Sequence, residues 1–493
     1  MPYTNTGIWS HTSLLKMNGI PFQHGRSGLP THHSTDSYWH RDPSKKLWGH
    51  QTTKSLPPTA DVVVIGSGIT GTFAARELVA GGREVVMLEA REACWGATGR
   101  NGGHCHPGVW NNSPEVARFE LATFDLIKAL VAKYDIPCDW QVVGSLQPIF
   151  DPEVLRVAQR RIKRLQAHRD LRDKAVLILD KDELVSRRVP EAIAAVYHPN
   201  AAKCWPYKLV AWLLEQLLNE HCATAFNLQT NTPVTMLHRR GAGWLVHTDR
   251  GTICARDVLL ASNAYTSYLL PKLTGLIVPM RGQVCAFDPP RPSRPLPHSY
   301  LWIKDSNQQY LTHHYLIQRG HEGAQKSDGV DDEIIFGIDL AAPTGDEGVS
   351  RDDEVNPILS QLLRSSLRRA VQLPTGPEAG KDALRTAYEW TGIMGYSLDG
   401  NPWVGAVPGV LVTDLEPGDE ADGLWISAGY TGHGMPVAAR CGIAVAQMML
   451  GKEGGVKVPE PWAASEERVR SAREMKFPRT VEDMAKSLAT DDA

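Results

Sequence analysis

Residues 66–71 read Gly66-Ser67-Gly68-Ile69-Thr70-Gly71, the spacing GxGxxG. Such a run can hold a pyrophosphate. The first glycine allows a tight turn, the second lets backbone approach the phosphates, and the third lets a helix pack on a strand. Glu89 follows 18 residues after Gly71, where a carboxylate accepts hydrogen bonds from ribose hydroxyls and favours an unphosphorylated adenosine ribose. Ala90 and Arg91 continue that turn. The next stretch, Gly96-Ala97-Thr98-Gly99-Arg100-Asn101-Gly102-Gly103-His104, combines small residues that let backbone lie along a flat ligand with polar groups at Thr98, Arg100 and Asn101. His104-Cys105-His106 then sets three reactive or hydrogen-bonding side chains in a row.

These groups need elements to position them. Residues 60–65 (ADVVVI) form a short continuous apolar run, as in a strand buried on both faces of a parallel sheet. Residues 72–80 have helical spacing and residues 83–88 (REVVML) read as the next strand, one βαβ unit in about thirty residues. The helix start offers free N–H groups and a positive dipole end to phosphates. Further helices are expected at 114–134, 152–170, 209–220, 355–372 and 436–450, and strands at 140–149, 257–261 and 423–427. Residues 232–238, 243–248 and 251–255 alternate as a small antiparallel meander, and 275–340 is mostly strand-like around a proline-rich turn at 289–297.

Nucleotide-binding elements thus lie at both ends of the chain, with strand-rich material between. The expected organisation is an irregular arm (1–59), a nucleotide domain from 60–135, 200–270 and 385–451, a strand-rich domain from 136–199 and 271–384, and a charged peripheral tail (452–493). The 493 residues are 42% hydrophobic and 22% charged, with a net charge of -3, so a large buried core is possible and no basic block invites nucleic acid. No apolar run reaches the ~18 residues that would span a bilayer. The 8 cysteines show no CxxC pair, which fits a reducing compartment, gives no metal-ligand spacing and makes the cytoplasm the default location.

GxGxxG alone does not separate FAD from NAD; the block after it does. With GSGITG and Glu89, the GATGRNGG loop, residues 257–265 (DVLLASNAY) and residues 423–435 (GLWISAGYTGHGM), the chain resembles the D-amino-acid-oxidase-like family of FAD-dependent oxidoreductases, in particular its amine and gamma-glutamylputrescine oxidase-like members. The resemblance runs from about residue 37 to about 451. It implies α/β plus α+β architecture: a Rossmann-like FAD-binding domain built from discontinuous segments, with a strand-rich substrate domain. It places Ser262 and Asn263 beside the pyrophosphate. Backbone of Gly429, Tyr430, Thr431, Gly432, His433, Gly434 and Met435 is set at the flavin pyrimidine edge, and a helix N-terminus is aimed at O2. Negative charge on reduced flavin suits that helix end. Val234 lies where family members set a backbone amide against adenine. His433 is read as acting through its backbone more than its ring.

The reaction implied is hydride loss from a carbon bearing an amine, giving an imine that water hydrolyses. Oxygen is the acceptor and hydrogen peroxide the product; a flavin dehydrogenase using another acceptor is the alternative. An NAD-only dehydrogenase is disfavoured by the GATGRNGG block, and a redox sensor without turnover by the intact GYTGHGM loop. Candidates for the substrate wall are His104, Tyr300, Trp302, His313, Lys304 and Trp390, with Tyr310, His314, Met394 and Tyr396. Aromatic walls suit an amine through cation–π attraction. Lys304 reads either as a cation beside the flavin or as an exposed lysine, and Arg281 as structural. No arginine occurs from 101 to 117, which favours an amine without an α-carboxylate unless Arg319 or Arg385 reaches the site. FAD is expected to be non-covalent. His104 is expected to serve as a hydrogen-bonding pocket residue, Cys105 to pack inward and His106 to open the Pro107-Gly108 turn.

Overall fold

The computed structural model describes residues 25–289, 295–305, 311–320, 332–341, 346–373, 384–415 and 421–475. Among them two large sheets share the molecule. The first has the order β10 (Val234–Arg240), β11 (Gly243–Thr248), β12 (Gly251–Leu260), β1 (Thr59–Ile65), β2 (Val85–Leu88) and β9 (Phe226–Gln229). β19 (Leu424–Ala428) pairs with β12, and β18 (Trp403–Ala406) pairs with β19. β1 lies parallel between β12 and β2, so both its edges are paired, and its alternate residues are buried in cores on opposite faces, Val62 and Val64 in one and Val63 in the other. That double burial is why its sequence is apolar without alternation.

Helix α1 (Ile69–Ala80) follows β1 directly. A Cβ at Gly71 would stand 2.0 Å from the carbonyl oxygen of Gly66, so only glycine lets the helix rest on the turn below it. Of the other helices, α2 (Pro114–Tyr134) starts at Ser113, whose hydroxyl accepts from Val116 N–H, and stops at Asp135 in left-handed backbone (φ 48°). α5 (Pro206–Glu220) and α8 (Ala438–Met449) pack with α1 in one core cluster.

The second sheet runs β17 (Thr386–Ser397), β13 (Ile277–Phe287), β16 (Ile334–Ala341), β15 (Leu311–Gln318), β14 (Ser299–Asp305), β5 (Ser145–Ile149), β7 (Ala194–His198) and β6 (Val176–Ile178). A small sheet of β3 (His104–Cys105), β8 (Ala202–Lys203) and β4 (Gln141–Val142) lies between. Helix α7 (Pro357–Ala370) covers one face of the second sheet through Leu359, Leu363 and Leu367. α3 (Pro152–Leu165) and α4 (Lys181–Ser186) flank its far end, and α6 (Thr266–Leu269) follows β12.

Three sequence expectations need correction. Residues 386–397, assigned to the nucleotide domain, form β17 and pair with β13 along its whole length, so they belong to the second sheet. The strand expected at 257–261 is the continuous end of the meander strand β12. The tail is not wholly peripheral. Trp462 is 2% exposed, and on α9 (Glu466–Glu474) Val469 and Ala472 enter the core while Arg468 grips Asp399. The arm also packs deeply, with Tyr38 and Trp39 buried. No helix among the described residues is long and apolar enough to cross a membrane.

Candidate active site

One cavity is lined by residues of both large sheets, and its wall includes Gly68 and Ile69 at the N-terminus of α1. Gly68 stands at the N-cap and, lacking a side chain, makes no cap hydrogen bond of its own. Ile69 N–H donates to Thr98 Oγ1 at 3.1 Å, which ties the second glycine-rich loop to the first. Glu89 closes β2 and is held from three sides. Ser67 N–H and Oγ–H donate to its Oε2 (3.1 and 2.7 Å), and Arg91 N–H donates to Oε1 (3.0 Å). A carboxylate has about four acceptor positions, so one remains for a ligand hydroxyl.

Most of the residues singled out in sequence come together here. Gly66, Gly68, Ile69, Thr70, Glu89, Ala90, Arg91, Ala97, Thr98, Arg100, Asn101, Gly102 and His104 line the cavity. So do Val234, Ser262, Asn263, Tyr430, Gly432, His433, Gly434, Met435 and Met394. Gly71, Gly99, Gly103, Gly429 and Thr431 stand behind this wall and shape it. Thr431, for example, donates its N–H to Gly395 O (2.8 Å) and accepts from Ser397 N–H (3.1 Å), binding the loop to β17. Asn263 Oδ1 accepts from Gly429 N–H at 3.0 Å.

The two arginines of the wall are engaged with protein. Arg91 makes a bidentate pair with Asp352 at 3.0 and 3.0 Å. Arg100 donates Nε–H to Thr391 O (2.6 Å), reaches Ser34 and Thr35 of the arm, and lies 3.4 Å from Asp352. Burial pulls its guanidinium down to about 10, against the opposing attraction of Asp352. Arg319 pairs with Asp139, the exposed Arg385 with Asp288, and Arg281 with Asp346 and Glu354. None of these three lines the cavity.

On β14 the wall is the other phase of the strand from the one expected. Leu301 and Tyr315, paired across β14 and β15, line the cavity. Tyr300 and Trp302 point into the opposite core: the Tyr300 hydroxyl donates to Arg187 O, and Trp302 stacks on His314 (5.0 Å) and Phe336 (5.6 Å). Trp390 is also core, its indole N–H donating to Arg100 O (2.8 Å). A strand's alternate residues face opposite sides, so a one-residue choice exchanges wall for core. Tyr396 does not line the cavity either. The side chains of Lys304 and His313, and all of Tyr310, lie outside the described residues. Tyr315 fits because Gly337 opposes it: a Cβ there would meet its ring at 2.0 Å, and one at Gly102 at 2.4 Å.

Imidazoles complete this end. His104 Nε2 donates to Ser299 Oγ (2.8 Å), whose own proton goes to Gly144 O. Burial, then the neighbouring His433, pushes His104 down to about 3. His106, expected at a turn, lines the cavity instead, buried with both ring nitrogens unpartnered. Tyr265 lines it too, its hydroxyl likewise buried without a partner. Cys105 is buried in the core, as expected.

Sequence reasoning missed Asp352 and Glu120, whose partners Arg91 and His433 lie 261 and 313 residues away. Glu120 left a signal: it shares a helical face with Ala117, Phe124 and Ile127, a carboxylate on the apolar side of α2. Leu29 and Pro30 of the arm, also missed, form part of the cavity wall.

A family model described as FAD dependent oxidoreductase matches residues 61–448. The chain is 26% identical to a glycine oxidase of Pseudomonas aeruginosa, over 82% of this chain and 98% of that protein. It is 22% identical to the gamma-glutamylputrescine oxidoreductase of Escherichia coli, over 85% of this chain and 89% of that one. The crystal structure of glycine oxidase from Geobacillus kaustophilus superposes with a TM-score of 0.65 at 19% identity, covering 83% of this chain and 99% of that one, which establishes a shared fold.

Proposed function

The chain belongs to the family of FAD dependent oxidoreductases, and from that premise we propose that it oxidises a small amine at the carbon next to nitrogen. The products are an imine, hydrolysed to a carbonyl compound, and hydrogen peroxide from oxygen. The observation that carries the reading is the single cavity whose wall includes both the Glu89 turn and the Tyr315–His104 surface. The first suits a dinucleotide, the second an apolar cation in equilibrium with its base.

The residues fit FAD. The glycine-capped N-terminus of α1 suits the pyrophosphate, the remaining acceptor position of Glu89 a ribose hydroxyl, and the backbone at Val234 the adenine. The loop 429–435 and the start of α8 are assigned to the flavin pyrimidine edge. When bound, FAD supplies the two-electron acceptor. The chain's own part is to orient the C–H bond, exclude water and keep the amine neutral. Tyr315, Leu301, Met394 and Ile393 supply the apolar wall, and His104, whose Nε2–H is held by Ser299, a neutral acceptor at Nδ1. Both described wall arginines are tied to Asp352, which favours an amine without an α-carboxylate.

The test is a panel of amines and amino acids, with peroxide release and dye reduction measured in parallel. Peroxide equal to amine consumed supports the reading. Dye reduction without peroxide would transfer it to a dehydrogenase, and a preference for α-amino acids would overturn the amine assignment. FAD is assigned as non-covalent, because Cys105 packs in the core and His104 Nε2 is bonded to Ser299. Acid precipitation should leave the flavin in the supernatant; a yellow pellet would point to His106.

A further inference from the structure

Three imidazoles, His104, His106 and His433, converge where the cavity meets the second sheet, and His198 stands behind His106 with ring centroids 4.5 Å apart. They are not equivalent. Burial strips water from His104, His106 and His198, and no carboxylate bonds to any of them, so all three are held far below the ordinary imidazole range. His433 is different. Its Nε2 lies 2.9 Å from Glu120 Oε2, and Glu120 is 2% exposed. The same carboxylate accepts from Gly108 N–H (2.6 Å) and Asn112 Nδ2 (2.9 Å), which fixes its orientation. Burial opposes a charge on His433, but the Glu120 carboxylate outweighs it and holds the imidazole above its ordinary value.

We propose that His433, oriented by Glu120, accepts the proton that the substrate's ammonium must lose before oxidation. The inference rests on the amine reading above. Hydride cannot leave readily from a carbon next to an ammonium, because the nitrogen lone pair that forms the imine is occupied by the proton. In the step proposed, one N–H bond of the ammonium breaks and its electron pair stays on nitrogen. The proton passes to Nδ1 of His433, the ring nitrogen that Glu120 does not hold, and is later released to water. FAD, when held in the cavity, would supply the acceptor for the hydride and its two electrons. Glu120 on α2 then faces an imidazolium, and the pair stays charge-balanced at the cavity wall. The other titratable groups around this pair are His104, Cys105 and His106 from β3 and its turn, with Cys441 and Arg440 on α8. Burial holds Cys105 and Cys441 protonated, and Arg440 reaches the Phe119 carbonyl beside Glu120.

The probe is tert-butylamine, which has no hydrogen on the carbon bearing nitrogen and so binds without turnover. Calorimetric titration of the FAD-loaded enzyme from pH 6 to 9, in buffers of different ionisation enthalpy, counts protons released per amine. Below the His433 titration the wild type should release one proton per amine, with affinity falling tenfold per pH unit. Above it, release should drop to none, with the inflection above the ordinary imidazole value. H433Q, which can still donate to Glu120, should lose the inflection, as should H433N, while E120Q should move it downward. An inflection unchanged in H433Q or H433N, or its absence from the wild type, overturns the inference while the amine reading stands. If no amine of the panel is oxidised and tert-butylamine does not bind, that reading fails and takes this inference with it.

Discussion

Replacing Asp352 by asparagine removes a charge without changing the size of the side chain. Asp352 is 1% exposed and accepts both terminal N–H groups of Arg91 at 3.0 Å and the Thr31 hydroxyl at 2.7 Å, and it lies 3.4 Å from Arg100 Nε. Asparagine keeps one oxygen but sets an amide donor against a guanidinium donor, and leaves two buried guanidiniums without a counter-charge. Removing one partner of a buried pair costs about 3–5 kcal/mol; the retained oxygen puts D352N near the lower end, at about 3 kcal/mol. The assay is urea unfolding followed by circular dichroism and by flavin release. The midpoint should fall at unchanged slope, and flavin should leave at lower urea than in the wild type, because the arm that Asp352 anchors carries Leu29 and Pro30 into the cavity wall. D170N breaks the exposed Arg118–Asp170 pair, 48% and 56% accessible, and should change nothing measurable. A D352N shift no larger than that of D170N would refute the reasoning.

Glu89→Ala should weaken FAD binding by about 1.5–3 kcal/mol, since it removes a charged acceptor and also frees Ser67 and the Arg91 amide; fluorescence titration of the apoprotein checks it, and unchanged affinity would count against the ribose assignment. Gly337→Ala places a Cβ 2.0 Å from the Tyr315 ring. It should raise KM for the amine at least tenfold while FAD content stays at the wild-type level; a KM unchanged within twofold would take Tyr315 out of the substrate wall.

What could be read from the sequence was what lies close together along it. The βαβ unit with its glycines and Glu89 falls within thirty-one residues (59–89), and it forms where expected. The substrate wall was misread by one residue at β14, because Ser299–Asp305 carries bulky residues on both faces and alternation cannot say which face meets a ligand. The larger aromatics, Tyr300 and Trp302, went to the core. Leu301 faces the cavity, and the Tyr315 wall position depends on glycines at 102 and 337, which no local pattern links to it. Arg91 and Asp352 are 261 residues apart, and Glu120 and His433 are 313 apart, so neither pairing leaves a local trace.

The arm bears on the order in which the protein is made. Ser27 bonds Ser267, Tyr38 bonds Glu333, Thr31 bonds Asp352, and Thr391 N–H donates to Thr35, separations of 240, 295, 321 and 356 residues. At a synthesis rate of about 5–20 residues per second, residues 27–38 wait on the order of tens of seconds for these partners. Buried Tyr38, bonded to Glu333 and stacked on Trp390, therefore lacks these partners while most of the chain is still being added. Ribosome-bound chains ending near residue 300 should be cleaved by protease within residues 25–40, and full-length chains should resist there; protection already present in the shorter chains would mean that the arm docks on other partners first.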